Sequence, residues 1–311
     1  MILPAAVLPA QSNACPGGGQ SPLTIAGAQS NATKDACTQV VDVFQFLAPQ
    51  LGLALAGGNA TLGQGGTLGG IGHFSIGVRG NAFQGDLPQV QNFPAPSIAQ
   101  TQTSKALPSD KQFLGLPVVD AAIGIFQGIP LGLTNVGGLD LLLSAAFIPS
   151  WEGDGVSITP ESNFKFGFGA RLGLLQESLV VPGIAVTYIK RDLPTTTIAG
   201  TSTNLDFTIE KAAVNTSAWR IVANKNLILF GIAAGFGQDK YDQSTTLRGT
   251  AKSIPTALGQ VTQQFGPISL SQDVKRTNMF VDLSANLAIL KVVGEVGRVS
   301  GADPEIKTFN S

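Results

Sequence analysis

The sequence predicts an all-β protein: an antiparallel up-and-down transmembrane β-barrel of roughly 10–12 strands, preceded by a short N-terminal helix. Three observations predict it. Only 13% of the 311 residues are charged while 43% are hydrophobic, against about 25% charged in an ordinary soluble domain. Mean hydropathy is +0.24, yet no uninterrupted apolar run reaches the ~18 residues that a spanning helix needs. From residue 73 onward, apolar side chains recur with a period of two, so grease is spread over one face of many short segments. The formal charge of −1 gives no electrostatic case for binding nucleic acid.

Residues 1–11 (MILPAAVLPAQ) read as the remnant of a clipped signal peptide: an apolar run ends among small residues, but no Lys or Arg precedes Lys34 to form a basic leader. Residues 12–70 form an N-terminal loop, helix and Gly-rich segment, a candidate plug. Within it, 12–34 has little periodicity and reads as a mobile loop. Residues 34–47 (KDACTQVVDVFQFL) read as helix, with Asp35 as N-cap, Val40, Val43, Phe44 and Leu47 on one face, and Pro49 as terminator. The helix either plugs the barrel mouth or covers a wet edge. Residues 51–72 are Gly-dense and uncharged, without the Lys of a phosphate-binding loop.

Cys15 and Cys37 are the only cysteines. No His or C-x-x-C spacing accompanies them, so a metal or redox site is not expected. A disulfide fits an exported chain, two inert thiols being the alternative.

Residues 71–311 are expected to be the barrel. The clearest strand is 164–175 (FKFGFGARLGLL), where Phe164, Phe166, Phe168, Leu172 and Leu174 share one face and Lys165, Gly167, Gly169, Arg171 and Gly173 the other. Glycines with isolated cations suit a cramped lumen. The alternation recurs at 74–82, 228–237 and 279–287, and more weakly at 117–126, 139–148, 182–192, 205–212, 217–224, 244–252 and 290–299. Segments such as PSWEGDG, DLPTTT, NKN and DKYDQ read as turns. Residues 88–112 and 254–272 read as long extracellular loops. The polar stretch 301–311 lacks an aromatic end, so the closing strand is expected to be missing.

If these phases hold, Arg79, Asp140, Lys165, Arg171, Arg220, Asp282, Lys291 and Glu295 line the lumen. They would either constrict a pore and set its selectivity, or simply fill a narrow barrel. His73 is the only histidine, and neither a G-x-S-x-G elbow nor a metal-ligand spacing is present. No enzyme, catalytic residue, metal or cofactor is therefore implied.

Several stretches resemble a family of uncharacterised bacterial outer-membrane proteins (a domain of unknown function). They are DVFQFLAPQLGLALAGGNATLGQGGTLGGIGHFSIGVRGNAF at 42–83, GLDLLLSAAFIP at 138–149, FGARLGLLQESLVVPGIAVTYIKRD at 168–192 and LAILKVVGEVGRVSG at 287–301. The resemblance implies a barrel in the bacterial outer membrane, with its lipid as partner, and carries no activity across. Members continue past the equivalent of Phe309 with a further strand. Expected functions are passive transport or a narrow channel for small solutes, a structural or interaction barrel with a filled lumen, or, less in keeping with the strands, a soluble exported β-sandwich. Nothing in the sequence sets the oligomeric state.

Overall fold

Alternation of large apolar residues with Gly, Ser and isolated charges disposes each segment to extend, because successive side chains then leave on opposite faces. The computed structural model describes residues 14–99, 107–256, 259–287 and 289–301; the expected signal remnant at 1–11 and the polar end after Gly301 lie outside the described residues. One helix, α1 (Ile25–Ala56), precedes the strands β1 (Phe74–Pro88), β2 (Ser109–Phe126), β3 (Ile129–Leu131), β4 (Thr134–Val136), β5 (Gly138–Phe147), β6 (Trp151–Gly153), β7 (Val156–Pro160), β8 (Phe164–Leu175), β9 (Gly183–Asp192), β10 (Thr196–Thr201), β11 (Leu205–Leu227), β12 (Phe230–Thr256), β13 (Gly259–Leu287) and β14 (Leu290–Ser300).

Twelve strands make one antiparallel sheet. Nine form a continuous wall, β1-β2-β5-β8-β9-β11-β12-β13-β14, and β10, β7 and β6 branch from β11; β3 and β4 make a separate hairpin. Among the described residues, β1 and β14 each pair on one side only.

The register leans strongly. A single line of cross-strand partners runs Phe74, Ile123, Leu141, Ala170, Tyr188, Trp219, Gln238, Thr277, Ser300. It joins the first residue of β1 to the last residue of β14, ten residues above that strand's start at Leu290. Ten residues are about 33 Å and eight strand-to-strand steps about 38 Å, so strands starting at one level tilt by about 40°.

The polarity of the two faces reverses partway up the long strands. On β12, Phe230, Ile232 and Phe236 are exposed on the outer face while Ala233 and Asp239 are buried inside. From Leu247 upward the inner row is apolar and buried, with Leu247, Ala251 and Ile254, and Lys240, Asp242 and Arg248 occupy the alternate, outer row. Strands β11 and β13 do the same: Trp219, Met279 and Leu283 are exposed below, Leu205, Phe207, Ile209, Ile268 and Leu270 buried above. The upper inner rows gather around α1 in the largest apolar cluster, with Val40, Val43 and Phe44.

The helix is longer than expected. Thr24 caps it, its hydroxyl accepting from Gly27 N at 3.0 Å, so the supposed loop at 25–34 is helical. Asp35 is no cap: it lies inside the helix and accepts from Ser97 N at 2.7 Å. Pro49 does not end it. Proline removes the bond to the carbonyl four residues back, and that carbonyl, Gln45 O, accepts instead from Gln272 Nε2 at 3.4 Å. Cys15 and Cys37 form a disulfide that ties residues before the helix to its fourth turn.

Three further expectations are corrected. Residues 205–212 and 217–224 belong to one strand, β11, continuous past a bulge at Lys211. Likewise 228–237 and 244–252 lie in or beside β12, and DKYDQ is mid-strand rather than a turn. The stretch 254–272 is not a loop: its described residues are the paired ends of β12 and β13. Its outer face is polar, while Ile254, Phe265 and Ile268 on the inner face are buried in the helix cluster.

Candidate functional site

The inner face of the lower wall must hold whatever its alternating residues place there, and they place charge. Arg79, Arg171, Arg191 and Arg220 are all buried. Burial of an ion is tolerated only with a partner and full hydrogen bonding. Each arginine has a carboxylate. Arg171 Nη2 lies 2.7 Å from Asp140 Oδ2 on neighbouring β5. Arg220 Nη2 lies 2.5 Å from Asp239 Oδ1. Arg191 and Arg79 share Asp120, at 3.0 and 3.4 Å.

Each also sends at least one donor to a common target, the end of α1 and the irregular segment that follows it. Arg220 donates from Nη2 to Ala56 O at 2.9 Å and from Nε to Gly58 O at 3.1 Å. It thereby caps the C-terminus of α1, whose last turn holds no basic residue of its own, and meets the negative end of the helix dipole. Arg79 donates to Asn59 O at 3.1 Å and Arg191 to Ala60 O at 3.3 Å. Arg171 reaches Thr61 Oγ1 at 2.6 Å and Gln64 Oε1 at 3.2 Å.

Asp282, Glu295, Lys291 and Asp140 hold the same segment. Asp282 Oδ2 accepts from Asn59 Nδ2 and Gly63 N, both at 2.8 Å. Glu295 Oε2 accepts from Asn59 N at 2.7 Å, and Lys291 Nζ donates to Gly63 O at 2.6 Å. Asp140 accepts from Leu68 N at 3.1 Å. Asn59 therefore contacts both edges of the wall: Arg79 stands five residues into β1 and Glu295 five residues into β14. Below, a cavity of about 520 Å³ lies between this segment and the wall, bordered by Gln64, Thr67, Gln176, Glu177, Asn224 and Lys291.

No family model, curated protein or solved structure matches the chain. Function must therefore be argued from the geometry.

Of the eight charges expected on the inner face, Arg79, Asp140, Arg171, Arg220 and Asp282 are buried there, and Lys291 and Glu295 are half-buried against the central segment. Lys165 shares their row by register, opposite Ala146, but sits at the upper end of β8 and is exposed. Sequence reasoning missed Asp120, Arg191 and Asp239. Asp239 was legible: continuing the inner row from Gly235 through Gly237 arrives at it, and only the reading of DKYDQ as a turn hid it. The contacts of Asn59 and Gln64 left no trace, since they depend on an irregular backbone.

The inner glycines make room. A Cβ on Gly237 would collide with the backbone carbonyl of Trp219 and lie 2.9 Å from Arg220 Cδ, so a larger residue there forces β11 and β12 apart beside the Arg220 side chain.

Proposed function

We propose that this chain is an outer-membrane β-barrel whose lumen is filled by its own N-terminal segment, a structural or interaction barrel at rest rather than an open pore. The reversal of polarity along β11, β12 and β13 carries this reading. A soluble sheet keeps one apolar face inward throughout. A wall that is apolar outside and charged inside for its lower third, then polar outside and apolar inside above, has two different solvents along its length. Lipid below and water above account for both.

The strand lean agrees, about 40° against the roughly 35–45° of membrane barrels. On β8 the exposed apolar row from Phe164 to Leu174 then rises about 25 Å, the height of a barrel's lipid-facing band. The disulfide suits an oxidising compartment outside the cytoplasm. By the usual asymmetry of such barrels, the end with long strands and long connections faces outward, and the short-turn rim faces the periplasm.

Passage of a small polar solute is the second reading, favoured by the polar cavity beside the central segment. It requires that segment to move. Refolding into bilayers tests both. Heat-modifiable migration on a gel is expected, and its absence together with failure to insert overturns the barrel. Wild-type protein is expected to be electrically silent, whereas excision of residues 57–68 opens stepwise conductance. Conductance in the wild type overturns the filled lumen.

A further inference from the structure

The turns at the short-turn rim are made of the wrong residues for water. Ile71 before β1, Leu131 and Leu133 between β2 and β5, Leu179 between β8 and β9, Ile228 between β11 and β12, and Ile289 between β13 and β14 are all exposed, Leu179 and Ile228 at 93% and 96%. Every connection described at this end carries at least one. Scattered exposed Leu or Ile needs no explanation, but a contiguous apolar ring does.

Charge is kept off this ring. In the turns and the first four residues of the strands above them, Asp140 and Lys291 point inward to the central segment. The other two charges are Glu177 and Lys225. Glu177 accepts from Asn224 and Asn226. Lys225 stands on the outer row beside Ile232, and its ammonium is folded back onto Ser178 O at 2.5 Å and Leu179 O at 2.9 Å, with Glu177 Oε1 at 3.9 Å as its counter-ion. A lysine in water has no need of two carbonyls; a lysine facing hydrocarbon does.

Height points the same way. The exposed apolar row of β12 proper, Phe230 to Phe236, rises only about 15 Å at the strand lean, well short of the roughly 25 Å band. Adding Ile228 extends it to about 20 Å, and on β13 the row from Met279 to Ile289 reaches about 25 Å. On β8 the band reaches that height within the strand, whereas on β12 and β13 it approaches it only if the turn tips Ile228 and Ile289 belong to it.

We infer that the rim is a lipid-binding surface: its turn tips sit in the acyl region or at its boundary with the headgroups instead of projecting into the periplasm. This rests on the membrane-barrel reading, and the test separates the two. The chain has two tryptophans, Trp151 and Trp219. In Trp151→Phe, Trp219 reports on the belt. In the Trp151→Phe/Trp219→Phe background, Ile228→Trp and, independently, Leu179→Trp report on the rim. Each is refolded into phosphatidylcholine vesicles with and without acyl-brominated lipid, and titrated with acrylamide. Expected are blue-shifted emission and quenching by brominated lipid, with little quenching by acrylamide, for Trp219 and both rim probes. Trp219 quenched by lipid while the rim probes are reached by acrylamide overturns the inference and leaves the barrel standing. Rim probes reached by neither quencher mean that protein, such as a second copy, covers the rim, and also overturn it. Failure of Trp219 itself to meet brominated lipid overturns the barrel reading and this inference with it.

Discussion

Arg171 shows how single residues are constrained on the inner face. Its guanidinium meets Asp140 through Nε and Nη2, and Thr61 and Gln64 through its other donors. Both members of the ion pair are almost wholly inaccessible. Arg171→Met strands the Asp140 carboxylate, and a loss of roughly 3–5 kcal/mol is expected in unfolding of the refolded protein. Arg171→Met/Asp140→Leu removes both charges and is expected to regain most of that loss, since neither ion is then left bare. If the single variant costs under ~1 kcal/mol, the pair is solvated rather than buried.

At the scale of elements, the helix is the case in point. Gly52 packs its Cα against the ring of Tyr241, and an added Cβ would lie 2.8 Å from ring atoms. Gly52→Leu is expected to unseat α1 from β12, with a cost of about 1–3 kcal/mol and faster amide exchange through 25–56. Tyr241→Ala in the same chain should restore protection, which a loss of helix propensity alone would not allow. The disulfide acts more locally, and Cys15→Ala/Cys37→Ala is expected to loosen residues 14–24 by hydrogen exchange while leaving the wall protected. That α1 is buried nearly all round explains why its periodicity understated its length. Ala28, Asn31, Ala32, Asp35, Ala36 and Gln39 are buried as well as Val40, Val43 and Phe44, so small and polar residues at the start of the helix carry no amphipathic signal.

For the molecule as a whole, the proposed membrane setting of the exposed apolar band fixes a thickness. Insertion is expected to be most efficient in bilayers with a hydrocarbon core near the roughly 25 Å of the band and to fall off in thicker ones; insensitivity of folding yield to acyl-chain length would count against it. The upper ends of β11, β12 and β13, closed around α1 by an apolar cluster, are expected to stay folded in water above the bilayer and to be the part reached by added protease only at exposed loops.

The sequence alone pointed to the strands of the lower wall, the face each side chain takes on them, and, of the eight charges expected on the inner face, the seven that lie there, because a period of two is a local property of extended chain. It also indicated the disulfide, since two cysteines leave one pairing. It could not show that the outer and inner faces exchange polarity higher up. There the alternation continues, interrupted by bulges, with its sign reversed, and the sign has meaning only once α1 occupies the concave side. Nor could it show that a Gly-rich stretch without periodicity is the common target of four arginines. Three of the four bond to backbone carbonyls, which every residue possesses, and Arg171 to the Thr61 and Gln64 side chains, so only the tertiary structure decided which acceptors the arginines would find.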